Sequence, residues 1–158
     1  MKTRIGFVSN SSSCSFIVIG KSTKYDRFPS DNIRGSNLDL SDNGEYDFGW
    51  GPEKLNDICS RLAFAMLQCS YISKKKRPSS DDENELNGWE TDWGKMLTRV
   101  IGETSNLNLI WKLSSYSYID HASSAEEGAN TEMFNSEESL KQFIYSPGSY
   151  IQLDNDNY

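Results

Sequence analysis

Leu55, Ile58, Leu62, Ala65 or Met66, Cys69 and Ile72 recur at three- and four-residue spacing, the stripe of an amphipathic helix. Ala63, Phe64 and Leu67 widen the stripe until most of the circumference is apolar. Such a helix has no face to give to water, so the rest of the chain must wrap it as a central core element. Gly51-Pro52-Glu53 is expected to open it, because proline fits the first turn and Glu53 suits the positive end of the dipole. Lys74, Lys75, Lys76 and Arg77 complement its far end, and Pro78 stops it. A chain of 158 residues suits one domain, 1–158, long enough to bury this helix without staples. Only 36% of residues are hydrophobic, but four Trp, eight Tyr and seven Phe argue against disorder, since each ring buries a large area.

The other elements follow from shorter signals. Residues 16–19 form a β-branched apolar run between turn formers and predict a buried strand. Residues 38–40 and 45–50 flank Asn43-Gly44, the strongest short hairpin signal, which would put Tyr46, Phe48 and Trp50 on one inward face. A second helix is expected over about 90–101, with Gly102 as its stop. Residues 107–113 and 116–120 read as a second hairpin turning at Ser114-Ser115. Asn135 with Glu138 reads as a capping box for a third helix, whose apolar face is Leu140, Phe143 and Ile144. Residues 149–153 make a last strand. The order predicts an α+β fold, a mostly antiparallel sheet packed with about three helices.

Several function classes are excluded or disfavoured. No apolar run approaches the roughly 18 residues of a membrane span, and 16–19 is too short for the core of a signal peptide, so no leader is expected. The net charge of −7 argues against general nucleic-acid coating. Three cysteines make no disulfide framework: Cys59 and Cys69 share one helix about 15 Å apart, and Cys14 stands among serines. A reducing, cytoplasmic setting is expected. One histidine, His121, and no Cys-x-x-Cys pair leave no zinc set of the usual kind.

Three groups of residues are candidates for chemistry. Ser11, Ser12 and Ser13 lie in a tract of small residues whose amides are able to face an anion, though no phosphate-loop pattern accompanies them and self-satisfied hydroxyls are the plainer reading. Asp120 ends one strand, and Asp154 and Asp156 end another. If those ends adjoin, they would hold Mg²⁺ or Mn²⁺ for hydrolase or nuclease chemistry with His121 as base; a hydrogen-bond cluster is the plainer reading. Trp89 and Trp93 border an acidic loop containing Asp81, Asp82 and Glu83, the composition of a partner-binding rim; burial in the core is the plainer reading for the tryptophans. No nucleophile signature of the Gly-x-Ser-x-Gly kind is present.

The opening Arg4-Ile5-Gly6-Phe7-Val8-Ser9-Asn10-Ser11-Ser12-Ser13-Cys14-Ser15-Phe16-Ile17-Val18 resembles the N-terminus of a group of small phage and bacterial proteins. Those chains begin with a basic residue and then Gly-Phe-Val-Ser-Asn followed by serines and Phe; Cys14 here replaces one serine. The C-terminal part, from Tyr118-Ile119-Asp120-His121 to Asp154-Asn155-Asp156-Asn157, is similar to C-termini of the same group, so the likeness covers about a third of the chain. It implies a phage or mobile-element origin and no mechanism. With no catalytic set evident, the expected role is a non-enzymatic accessory protein that binds a host protein in the host cytoplasm, in anti-defence or host takeover. A metal-dependent hydrolase is the alternative, and a minor virion component a third.

Overall fold

Residues 13–49, 52–73 and 86–155 are described by the computed structural model. The expected extended piece at 4–8, Trp50 and the basic run 74–77 lie outside them. The apolar helix is present as α1 (Ile58–Tyr71), and every residue from Ile58 to Cys69 is buried. It does not begin at Pro52. Asp57 caps it, accepting from the Ser60 amide at 2.8 Å and the Ser60 hydroxyl at 2.6 Å. Glu53–Leu55 is instead a short strand, β5, because β8 (Tyr150–Asn155) offers its backbone an antiparallel partner. Proline just ahead of a strand removes no ladder bond.

The run at 16–19 belongs to β1 (Ser13–Val18), which pairs antiparallel with β8 along six residues. β8 is therefore central in the order β1-β8-β5. Phe16, Ile17 and Val18 are all buried. The Ser15 N–H bonds the Ser123 hydroxyl at 2.8 Å, which satisfies an edge of β1 that would otherwise be open to another chain.

Neither expected hairpin forms. The tight reversal in this region is at Gly35, φ +61°, between β2 (Ile33–Arg34) and β3 (Asn37–Leu38). Gly44 does turn the chain, with φ +86°, but the segments around it do not pair with each other. β3 runs parallel to β6 (Asn108–Leu109), and β4 (Asp47–Phe48) runs parallel to β7 (Tyr118–Ile119). Segment 37–48 thus lies beside segment 108–119 in the same direction, tied by Ile110 N to Leu38 O at 2.9 Å and Tyr118 N to Tyr46 O at 2.9 Å. Asn43 shows why the local signal misleads. Its side chain is held by Asn32 and by the Tyr46 hydroxyl, and the Tyr46 amide goes to the Ser117 hydroxyl. Phe48 still points inward and stacks with Tyr46 at 6.2 Å.

The second helix, α2, is Asp92–Ser105, capped by the Thr91 hydroxyl. Gly102 lies inside it. The stop is Asn106, whose φ of +56° lets its amide return to the Gly102 carbonyl. The third helix, α3, is Glu137–Tyr145, and its cap is Ser136 rather than Asn135, bonded to the Ser139 amide at 3.0 Å. Leu140, Phe143 and Ile144 are its buried face as expected. Three helices and small, mixed sheets place the protein in the α+β class, with antiparallel pairings outnumbering parallel ones among the described residues.

Phe64 of α1 meets Phe48 edge-on at 5.1 Å and Phe143 at 6.4 Å, joining the helices and β4 in one core. Two polar side chains of α1 are fully buried beside them. Arg61, 0% exposed, pairs with Asp26 at 2.5 Å, bonds the Ser146 carbonyl, and reaches the Ser149 carbonyl at 3.4 Å and the Asp57 carbonyl at 3.3 Å. Gln68 accepts from the Ala125 amide at 2.6 Å and donates to the Ser123 carbonyl at 3.1 Å. Asn130 donates to the same Ser123 carbonyl and to Ser15.

Arg61→Leu is expected to lower unfolding free energy by about 3–5 kcal/mol, since it strips the partner from Asp26 and from buried carbonyls. Urea denaturation followed by circular dichroism checks this; a loss under about 1 kcal/mol would show that these groups find water instead.

Candidate partner-binding surface

Trp89 sits in a 3-10 turn, Asn87–Glu90, pressed between α1 and α2. The two glycines around it are there for space. A Cβ on Gly88 would stand 2.7 Å from the Cys69 Cβ, and one on Gly94 would stand 1.9 Å from the Gly88 carbonyl oxygen. Leu86, buried, bonds through its amide to the Trp111 carbonyl at 2.9 Å. These contacts fix Trp89 at the surface beside Trp111, itself anchored by its Nε1–H to the Thr98 hydroxyl at 3.1 Å. Trp89 remains 47% exposed while Trp111 is 9% exposed.

Between the two rings lies a depression of about 440 Å³, lined also by Lys95, Thr98 and Arg99 of α2. Its walls are almost wholly apolar apart from the two cations at the rim. Arg99 is shared with Glu137 of α3, at 2.5 Å from its Nε. Lys95 has no ion-pair partner among the described residues.

No family model, curated protein or solved structure matches this chain.

The two expected tryptophans have different surroundings. Trp93 is half-buried and stacked flat on Phe134, centroids 4.5 Å apart and planes 3° from parallel. Asp81, Asp82 and Glu83 lie outside the described residues, as do Ser11 and Ser12. Ser13 begins β1 opposite Asn155. Asp154 faces Cys14 across the β1–β8 ladder, and Asp156 lies outside the described residues. Asp120 follows β7, its amide bonding the Phe48 carbonyl at 3.3 Å and its carbonyl accepting from the Ser123 amide. Ser123 in turn holds the edge of β1 that faces away from β8. Strand β1 therefore stands between the segment 120–123 and the strand that carries Asp154. Among the described residues no three His, Cys, Asp or Glu side chains gather as metal ligands.

A second cleft, of about 470 Å³, is lined by Tyr25, Asp26, Phe28, Ser105 and Tyr145 among others. Three of its polar groups are already engaged: Asp26 holds Arg61, and the Tyr145 hydroxyl meets that of Ser105 at 2.5 Å. Burial pushes the Tyr145 phenol up to about 12, so it stays protonated. Burial likewise raises the Cys59 thiol to about 11 and the Cys69 thiol further, so neither free cysteine is a thiolate nucleophile. Lys95 and Arg99 belong to no motif in the sequence. Their four-residue separation on the polar face of α2 is the signal that would have found them.

One buried acid has no use in either depression. Neither carboxylate oxygen of Glu132 has a well-formed hydrogen bond, and burial, opposed only in part by the amides of Thr131 and Glu132, raises its pKa above the ordinary 4.5. As pH rises past that ordinary value, the unfolded chain gives up a proton the folded chain keeps, so stability falls up to and through the folded pKa. Glu132→Gln is expected to raise the melting midpoint at pH 7, with the gain gone by pH 4; a gain equal at both would show that the charge is irrelevant.

The two tryptophans should also separate by mutation. Trp89→Ala is expected to change stability by less than about 1 kcal/mol. Trp93→Ala should cost about 2–3 kcal/mol, somewhat below the figure for a fully buried ring. Thermal unfolding of the two variants measures both.

Proposed function

We propose that this chain is a non-enzymatic accessory protein of phage or mobile-element origin that acts in the host cytoplasm by binding a host protein through the Trp89–Trp111 surface. The observation that carries the reading is the exposure of Trp89 next to Trp111. The fold spends two close glycine contacts and a backbone bond holding a large apolar ring where water covers it. A rigid exposed tryptophan over an apolar depression, with charged side chains around it, is the arrangement that concentrates binding energy at protein interfaces. The resemblance of residues 4–18 supports the origin. The metal-dependent alternative has less behind it, because β1 intervenes between the neighbourhood of Asp120 and the strand of Asp154.

The test is affinity capture with the intact tagged chain and its Trp89→Ala variant in a bacterial lysate, quantified by mass spectrometry. A stoichiometric protein should be recovered by the parent and fall at least tenfold with the variant, which folds normally by circular dichroism. Recovery of no stoichiometric partner, or equal recovery by both chains, would overturn the reading.

A further inference from the structure

We propose that the occupant of the Trp89–Trp111 depression is an acidic, extended protein segment, seating one apolar side chain against the rings and two carboxylates on Lys95 and Arg99. This rests on the reading of that surface as partner-binding and adds the chemistry of the partner.

The charges at the rim select the class. Lys95 and Arg99 are both exposed on α2, one turn apart, so they lie about 6 Å apart along the helix axis. Residues two apart on an extended strand share a face and are separated by about 6.6 Å. Two carboxylates at alternate positions of a strand laid along α2 therefore match the two cations in step. Lys95 is without an ion-pair partner among the described residues. Arg99 gives one edge of its guanidinium to Glu137, and its remaining N–H donors can receive a second carboxylate.

The walls select the rest of the segment. Trp111 has already used its N–H on Thr98, so its contribution to the depression is the ring. A volume of about 440 Å³ admits a large side chain with part of the backbone that carries it. Single-stranded nucleic acid would also offer anions and flat rings to such a surface. Against that, the chain as a whole carries −7, and the repulsion grows with each phosphate brought near, whereas a short acidic segment brings only two charges, one to the unpaired Lys95 and one to the free donors of Arg99.

The probe is a decapeptide of glycine and serine carrying two glutamates and a phenylalanine at alternate positions, free of tryptophan so that the emission of the protein reports binding. Its lysine-for-glutamate counterpart and a ten-nucleotide oligothymidylate are titrated alongside. The acidic peptide should shift the emission and saturate. Lys95→Glu should weaken it at least fivefold and Trp89→Ala should abolish the shift; Lys95→Ala, with no new charge, should lie between the parent and Lys95→Glu. The lysine peptide should bind at least tenfold more weakly. No binding at millimolar peptide, equal binding of the two peptides, or indifference to Lys95→Glu would overturn the proposal. Stronger binding of the oligonucleotide would overturn it in favour of a nucleic-acid surface. The capture experiment with Trp89→Ala stands apart from these outcomes. If captured protein is lost with Trp89→Ala but unaffected by Lys95→Glu, the surface binds a partner and the acidic chemistry is wrong.

Discussion

The buried guanidinium of Arg61 is the contact on which the arrangement of the chain turns. It projects from the first turn of a largely apolar helix, and a buried charge there is tolerable only if its donors find oxygens. One oxygen is local, on the Asp57 cap, and the others come from two distant places: Asp26 in the loop after β1, and the carbonyls of Ser146 and Ser149 between α3 and β8. Meeting the needs of one side chain thus sets where α3 ends and where β8 begins. β8 in turn is the strand against which both β1 and β5 pair. Gln68, two turns further along α1, does for the segment 123–130 what Arg61 does for the other end.

What could be read beforehand was what local chemistry decides. α1 was legible because its apolar residues exceed any one face, and α3 because Leu140, Phe143 and Ile144 keep step with the helix period. The run at 16–19 was legible as a buried strand from its branching and its boundaries. The misplacements arose where two local solutions were equally sound. Pro52 and Glu53 suit a first helical turn, yet Asp57 makes a better cap and β8 offers the preceding residues a ladder. Gly102 suits a helix stop, yet Asn106 also accepts a positive φ and lies four residues further on.

The pairing of segment 37–48 with segment 108–119 was not legible at all. Each carries a good turn signal, and each signal is honoured as a bend. A turn fixes where a chain reverses but not which strand it will lie against, and pairs only two residues long leave no periodic trace. The surface around Trp89 was half legible for a related reason. An exposed and a buried tryptophan look alike in sequence, and Trp111 and Trp93 differ from Trp89 only in what the fold lays over them. Phe134 lies flat over Trp93, and the Trp111 N–H is taken by Thr98.

The antiparallel ladder of β1 with β8 has a bearing on how the chain must be made. Its two strands are separated by almost the whole described sequence, and two of the acceptors for Arg61, the Ser146 and Ser149 carbonyls, come just ahead of the second of them. During synthesis Asp26 therefore precedes the central helix, but the two carbonyls that complete the surroundings of Arg61 follow long after it. Folding of the core has to await β8, a topology in which loop closure comes first and reward late. Loss of the segment from Ser146 onward would leave Arg61 with Asp26 and the Asp57 carbonyl alone, and β1 and β5 without the strand between them.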